Sequence, residues 1–140
     1  NVPATIISNM TGIRCEALKV SLRDDAGDHG SESNCWMAED AFGYESEPSA
    51  TAGPLRKKIL IVDDINDTGA TFNWIKEDWP SGCLPDDKSW ETVWDQNVRF
   101  ATLTENLASD FSQVRYTCHE INKAEEDVWL VYPWENVAEY

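Results

Sequence analysis

Apolar residues recur at helical spacing at the amino end of the chain: Val2, Ile6 and Met10 share a face, Pro3 suits a first turn and Gly12 a stop. Residues 2–11 are therefore expected to form a short amphipathic helix. Ala17, Leu18, Val20 and Leu22 mark a strand over Glu16 to Arg23. From 24 to 55 periodicity gives way to Asp, Gly, Ser and Pro, interrupted by the aromatic clusters Trp36-Met37 and Phe42-Gly43-Tyr44. A stretch of that length reads as a lid or a partly structured hairpin. Ile59 to Asp63 is nearly continuous in aliphatic residues, as in a parallel strand covered on both faces. Phe72, Ile75 and Trp79 then share a helical face from Thr71 until Pro80. Residues 81–97 read as an insertion with a short helix lined by Trp90, Val93 and Trp94. Val98–Leu103, Arg115–Ile121 and Val128–Tyr132 complete the expected strands. The alternation of strand and helix predicts an α/β fold with a largely parallel sheet.

In such sheets ligands collect outside the carboxyl ends of the strands. There the chain reads Ile59-Leu-Ile-Val-Asp63-Asp64-Ile-Asn-Asp67-Thr68-Gly69-Ala70-Thr71. A helix start offers free N–H groups and a positive dipole end, and Thr68 and Thr71 add hydroxyls, so this turn suits a phosphate. Carboxylates beside a phosphate repel it unless they face sugar hydroxyls or a divalent cation. The residues alone thus point to a ligand with a phosphate, a polyol and Mg²⁺.

Composition limits the partners. With 140 residues and 41% hydrophobic content the chain supports one core, hence a single domain over 1–140. A net charge of −15, from 26 acidic and 11 basic residues, argues against nucleic acid and anionic membrane surfaces as partners. Cys15, Cys35, Cys83 and Cys118 form no close pair, which fits reduced thiols in a cytoplasmic setting. The longest apolar run, Ile59 to Val62, is far too short to cross a bilayer. Residues 1–20 lack the charged start and apolar centre of a signal peptide. His29 and His119 fit no metal-ligand spacing and read as ordinary polar residues.

The opening letters KILIVDD are shared with response-regulator receiver domains, but there a Lys follows on a later strand. Here Lys is absent between 89 and 122, and the Thr-Gly-Ala-Thr turn has no counterpart in that family. The stretch Ile59 to Thr71 resembles, at every position, the phosphoribosyl pyrophosphate (PRPP) motif of type I phosphoribosyltransferases. VWLVYPWE, Val128 to Glu135, resembles the carboxyl-terminal base-binding segment of the xanthine-guanine and hypoxanthine enzymes of that family, and ATLTEN, Ala101 to Asn106, their preceding strand.

The resemblance implies a type I phosphoribosyltransferase fold and transfer of phosphoribosyl from PRPP to a 6-oxopurine, with release of pyrophosphate. Asp63 and Asp64 would meet the ribose hydroxyls, directly or through Mg²⁺ and water. Thr68, Gly69, Ala70 and Thr71 would cradle the 5′-phosphate, and Asp67 would act as general base or proton shuttle at the purine. Trp129 would stack on the base, the Leu130 backbone would hydrogen-bond its edge, and Glu135 would lie near base and metal.

The family's Lys at the exocyclic oxygen falls on Asn106, an amide without positive charge. Ser21-Leu22 stands where the family has Ser-Tyr. A strand and glycine-containing loop that precede the first helix in the family fall outside this sequence, so the chain is expected to be a fragment. Dimerisation is expected, with tryptophans around 90 and 94 exposed for it. A regulatory protein that binds PRPP or nucleotides without turnover is the alternative.

Overall fold

The computed structural model describes residues 1–20, 35–43 and 55–135. Helix α1, Val2–Thr11, begins where the Asn1 side chain accepts from Ala4 N–H at 3.2 Å and ends at left-handed Gly12, whose N–H reaches the Ser8 carbonyl at 2.8 Å. It packs against β1, Ile59–Asn66. Strand β1 runs three residues beyond the expected Asp63, and β2, Val98–Asn106, three beyond Leu103. With β3, Val114–Ile121, they form a sheet of order β1-β2-β3 in which both pairings are parallel. The architecture is α/β, a three-stranded parallel sheet with flanking helices.

Between β1 and β2 the chain makes α3, Ala70–Gly82, and α4, Trp90–Gln96. The apolar spacing read from the sequence meets the sheet: Phe72, Ile75, Trp79 and Val93 are buried with Val98 and Phe100. Burying each of these large side chains is worth about 1.5–3 kcal/mol. Pro80 does not end α3; it sits inside the last turn, two residues before Gly82.

Four expectations are corrected. Residues 16–20 form no strand, and 21–23 lie outside the described residues; Leu18 and Val20 pack against the core without joining the sheet. Helix α2, Cys35–Phe42, replaces part of the expected lid. It belongs to the core, because Met37, Ala38 and Ala41 are buried and its end is tied by Asn97 Nδ2 to the Ala41 carbonyl and by Lys57 N–H to the Asp40 carbonyl. The remainder of 24–55, apart from Gly43 and Leu55, is outside the described residues. The 81–97 segment carries the expected short helix, but its tryptophans are not set out on the surface. Trp90 is buried, and Trp94 is half-buried and stacks on Trp90 and Phe100. Finally, Val128–Tyr132 does not extend the sheet. Its Tyr132 turns back to β1 and β2, its hydroxyl donating to the Asp64 carbonyl at 3.1 Å and hydrogen-bonded with the Thr104 hydroxyl at 2.9 Å. Among the described residues no helix is long and apolar enough to cross a membrane.

Candidate functional site

Parallel strands bring their carboxyl ends to one side, and the acidic residues of β1 lie there. Asp63 accepts from Asn1 Nδ2 at 2.8 Å and from Asp64 N–H at 3.0 Å. Burial, reinforced by the neighbouring Asp64 charge, lifts its pKa to about 6 against the hydrogen bonds that oppose it. Successive strand residues point to opposite faces, so Asp63 and Asp64 are placed to meet different parts of a ligand.

The turn that follows is held from behind. Asn66 is buried, donating to Glu105 Oε1 and to the Phe111 carbonyl while accepting from Ser109 Oγ. Asp110 N–H donates to the Thr68 carbonyl at 3.2 Å. Gly69 has φ +87°, and a methyl there would lie 2.6 Å from Phe111 N. Glycine at 69 therefore serves the close approach of the 109–111 loop, in addition to any room it leaves for a ligand. Ala70 N–H reaches Thr68 Oγ1 at 3.3 Å, but among the described residues nothing accepts from the N–H of Gly69 or Thr71. Thr68 and Ala70 are exposed and Thr71 is half-buried. Gly69 is buried beneath the 109–111 loop, so the unpaired donor of the first turn of α3 is the Thr71 N–H, beside two hydroxyls.

Asp67 stands between the strands. Its Oδ2 accepts from Lys123 Nζ at 2.8 Å, and Asn106 Nδ2 donates to its carbonyl at 2.9 Å and to its Oδ1 at 3.3 Å. Asn106 Oδ1 in turn accepts from Ala108 N–H and Lys123 N–H. Both amide hydrogens and both lone-pair positions of Asn106 are therefore used within the protein, which leaves it nothing to offer a base. It brackets the ends of all three strands instead.

No protein-family model, curated protein or solved structure matches this chain. The site has to be read from its own geometry.

The carboxyl-terminal residues assemble only in part. Trp129 is 83% exposed and Leu130 half-buried. Glu135 turns to its own segment, accepting from Tyr132 N–H at 3.0 Å. Tyr132 stacks on Trp134 at 5.0 Å, and burial together with Asp64, Glu135 and Asp63 raises its pKa against the Thr104 hydrogen bond. Among the described residues no group of three His, Cys, Asp or Glu side chains is set to hold a metal. Mg²⁺ needs no such cage, since it keeps several waters and is commonly held by one or two carboxylates plus substrate phosphates.

Sequence reasoning missed Lys123, Asn66 and Tyr132. A faint signal existed for the first: Lys123 is the sole Lys or Arg after Arg115, placed among acids just past β3.

Proposed function

We propose that the chain is a purine phosphoribosyltransferase of the type I fold, which moves the phosphoribosyl group of PRPP to a 6-oxopurine. The observation that carries this reading is the arrangement at the end of β1. Two carboxylates, a third at Asp67 and the open first turn of α3 share one sheet edge, in the order that resembles the PRPP motif.

The chemistry follows from the residues. The Thr71 N–H, with the Thr68 and Thr71 hydroxyls, holds the 5′-phosphate, and Gly69 and Ala70 shape the turn around it. Asp63 and Asp64 hold the ribose hydroxyls and favour the positive charge that develops at the anomeric carbon as pyrophosphate departs. Asp67 takes the proton from the purine nitrogen that forms the new bond. Trp129, exposed in the free protein, covers the base. Asp63, Asp64 and Glu135 would hold Mg²⁺, directly or through water, and the ion would supply positive charge against the departing pyrophosphate.

One feature favours a second reading, a PRPP- or nucleotide-binding regulator. Asp67 is already engaged by Lys123 and Asn106, which suits a site that binds without turnover. Pyrophosphate release from PRPP and Mg²⁺, with hypoxanthine, guanine, xanthine and adenine offered separately, decides between them. Base-dependent release supports the transferase. PRPP binding with no release from any base would leave the regulator.

A further inference from the structure

The carboxyl ends of the strands carry acids; their amino ends carry the opposite charge. A parallel sheet gathers the starts of its strands at one edge, just as it gathers their ends at the other. Lys58 immediately precedes β1, Arg99 is the second residue of β2 and Arg115 the second of β3. In a chain with 26 acidic and 11 basic residues a cation has carboxylates in plenty, and two cations at this edge are paired: Lys57 with Asp40 at 2.6 Å and Arg115 with Asp95 at 3.9 Å. Among the described residues Lys58 and Arg99 have no carboxylate partner.

These two cations rim a groove of about 510 Å³, to which Leu60 and Tyr116 contribute apolar surface. Leu60 and Arg99 are paired in register, and Arg99 Nη1 donates to the Tyr116 hydroxyl at 2.8 Å. All three side chains therefore stand on the sheet face opposite buried Ile61 and Phe100. Leu60 is 44% and Tyr116 50% exposed. Arg99 Nε also donates, to the Asp95 carbonyl at 3.1 Å. The guanidinium is thus fixed by two uncharged acceptors, and three of its five N–H groups are left over.

Each feature narrows the occupant. A preset fork beside a second cation favours a doubly charged oxyanion over a single carboxylate. A Tyr ring whose hydroxyl is already held, next to an exposed Leu, offers a flat apolar wall. The volume falls within the range of about 300–1,000 Å³ found for small-molecule sites. Four residues of strand, about 13 Å, lie between Leu60 and Asp64, so a phosphate bound at this edge is a different one from that at the turn after β1.

We propose that this groove is a second ligand site, independent of the transferase reading, which takes a planar aromatic phosphate monoester. The phosphate lies between Lys58 and Arg99, and the ring lies along Tyr116 and Leu60.

Calorimetric titration with 1-naphthyl phosphate tests the site, with inorganic phosphate and 1-naphthol as the head and the body alone. The ester is expected to bind saturably and at least about tenfold more tightly than either half. A charge-assisted hydrogen bond corresponds to at least about a tenfold effect. Lys58→Met and Arg99→Met are each expected to weaken binding by about that factor, while Thr68→Ala, at the turn before α3, leaves it in place. Lys58 is exposed, so its substitution reads the site without disturbing the packing beneath it. Absence of saturable binding, parent-like affinity in Lys58→Met, or a loss in Thr68→Ala with both groove variants unaffected would overturn the proposal. Equal affinity for inorganic phosphate and the ester would overturn it too, because the ring would then contribute nothing.

Discussion

Replacing Gly69 by alanine tests the architecture of the site without assuming its ligand. Gly69 has φ +87°, a conformation that costs an L-residue about 1–2 kcal/mol. The added methyl would also stand 2.6 Å from Phe111 N, 2.9 Å from Phe111 Cβ and 3.0 Å from Ser109 Oγ. The nearest of these atoms is backbone, so relief requires the 109–111 loop to move, at about 1–3 kcal/mol for an overpacked site. The expected total is about 2–5 kcal/mol. Gly12 supplies the control, because its φ is +71° and nothing lies within 4 Å of the position a methyl would take. Gly12→Ala should therefore cost about 1 kcal/mol. Urea unfolding followed by far-ultraviolet circular dichroism measures both. If the two variants lose equal stability, the contact between the turn and the loop does not constrain the site, and closeness to Phe111 is not why residue 69 is glycine.

Other substitutions read individual side chains. Asp63 is harder to ionise in the folded protein, its pKa rising from 3.8 to about 6, so it weakens the fold as pH climbs through that window and not below it. Asp63→Asn should gain up to about 3 kcal/mol at pH 7.5 and lose that advantage near pH 4; denaturation curves at the two pH values that kept a constant gap would contradict the assignment. Asp67→Asn is expected to lower kcat by about 10²–10⁴-fold while PRPP affinity, measured calorimetrically, changes little. Parent-like turnover would remove Asp67 from the chemistry. Trp129→Ala should raise the purine KM about tenfold with an unaltered melting temperature, because the side chain is 83% exposed; an unchanged KM would end its role as a stacking surface.

What the sequence reveals depends on whether the deciding interaction is local. The aliphatic runs of β1 and β2 and the spacing of Phe72, Ile75 and Trp79 announce their own elements, although β1 is not covered on both faces as its run suggests: Ile61 is buried and Leu60 exposed. Glu16–Arg23 and Val128–Tyr132 have comparable apolar content, but a strand needs a hydrogen-bonding neighbour, which no single segment can advertise. Residues 16–20 and 128–132 acquire none. Helix α2 was hidden differently. Met37, Ala38 and Ala41 already had helical spacing, but the aromatic residues around them and the polar sequence on either side suggested a lid. In the site, the run from Asp63 to Thr71 was legible because one turn carries it. Lys123 was not, since 56 residues separate it from Asp67 and only the sheet brings them together.

The parallel sheet also dictates the order in which the molecule can become itself. Ile59 pairs with Val98, and Phe100 with Val114, so no strand can borrow a neighbour through a tight hairpin. During synthesis β1 emerges with its aliphatic residues unpaired and waits while α3 and α4 follow. Such pairing across long stretches of chain is slow, and exposed apolar strands invite association with other nascent chains. A polypeptide halted before Val98 would hold the acidic end of β1 and the turn after it, yet have no β2 on which to set them.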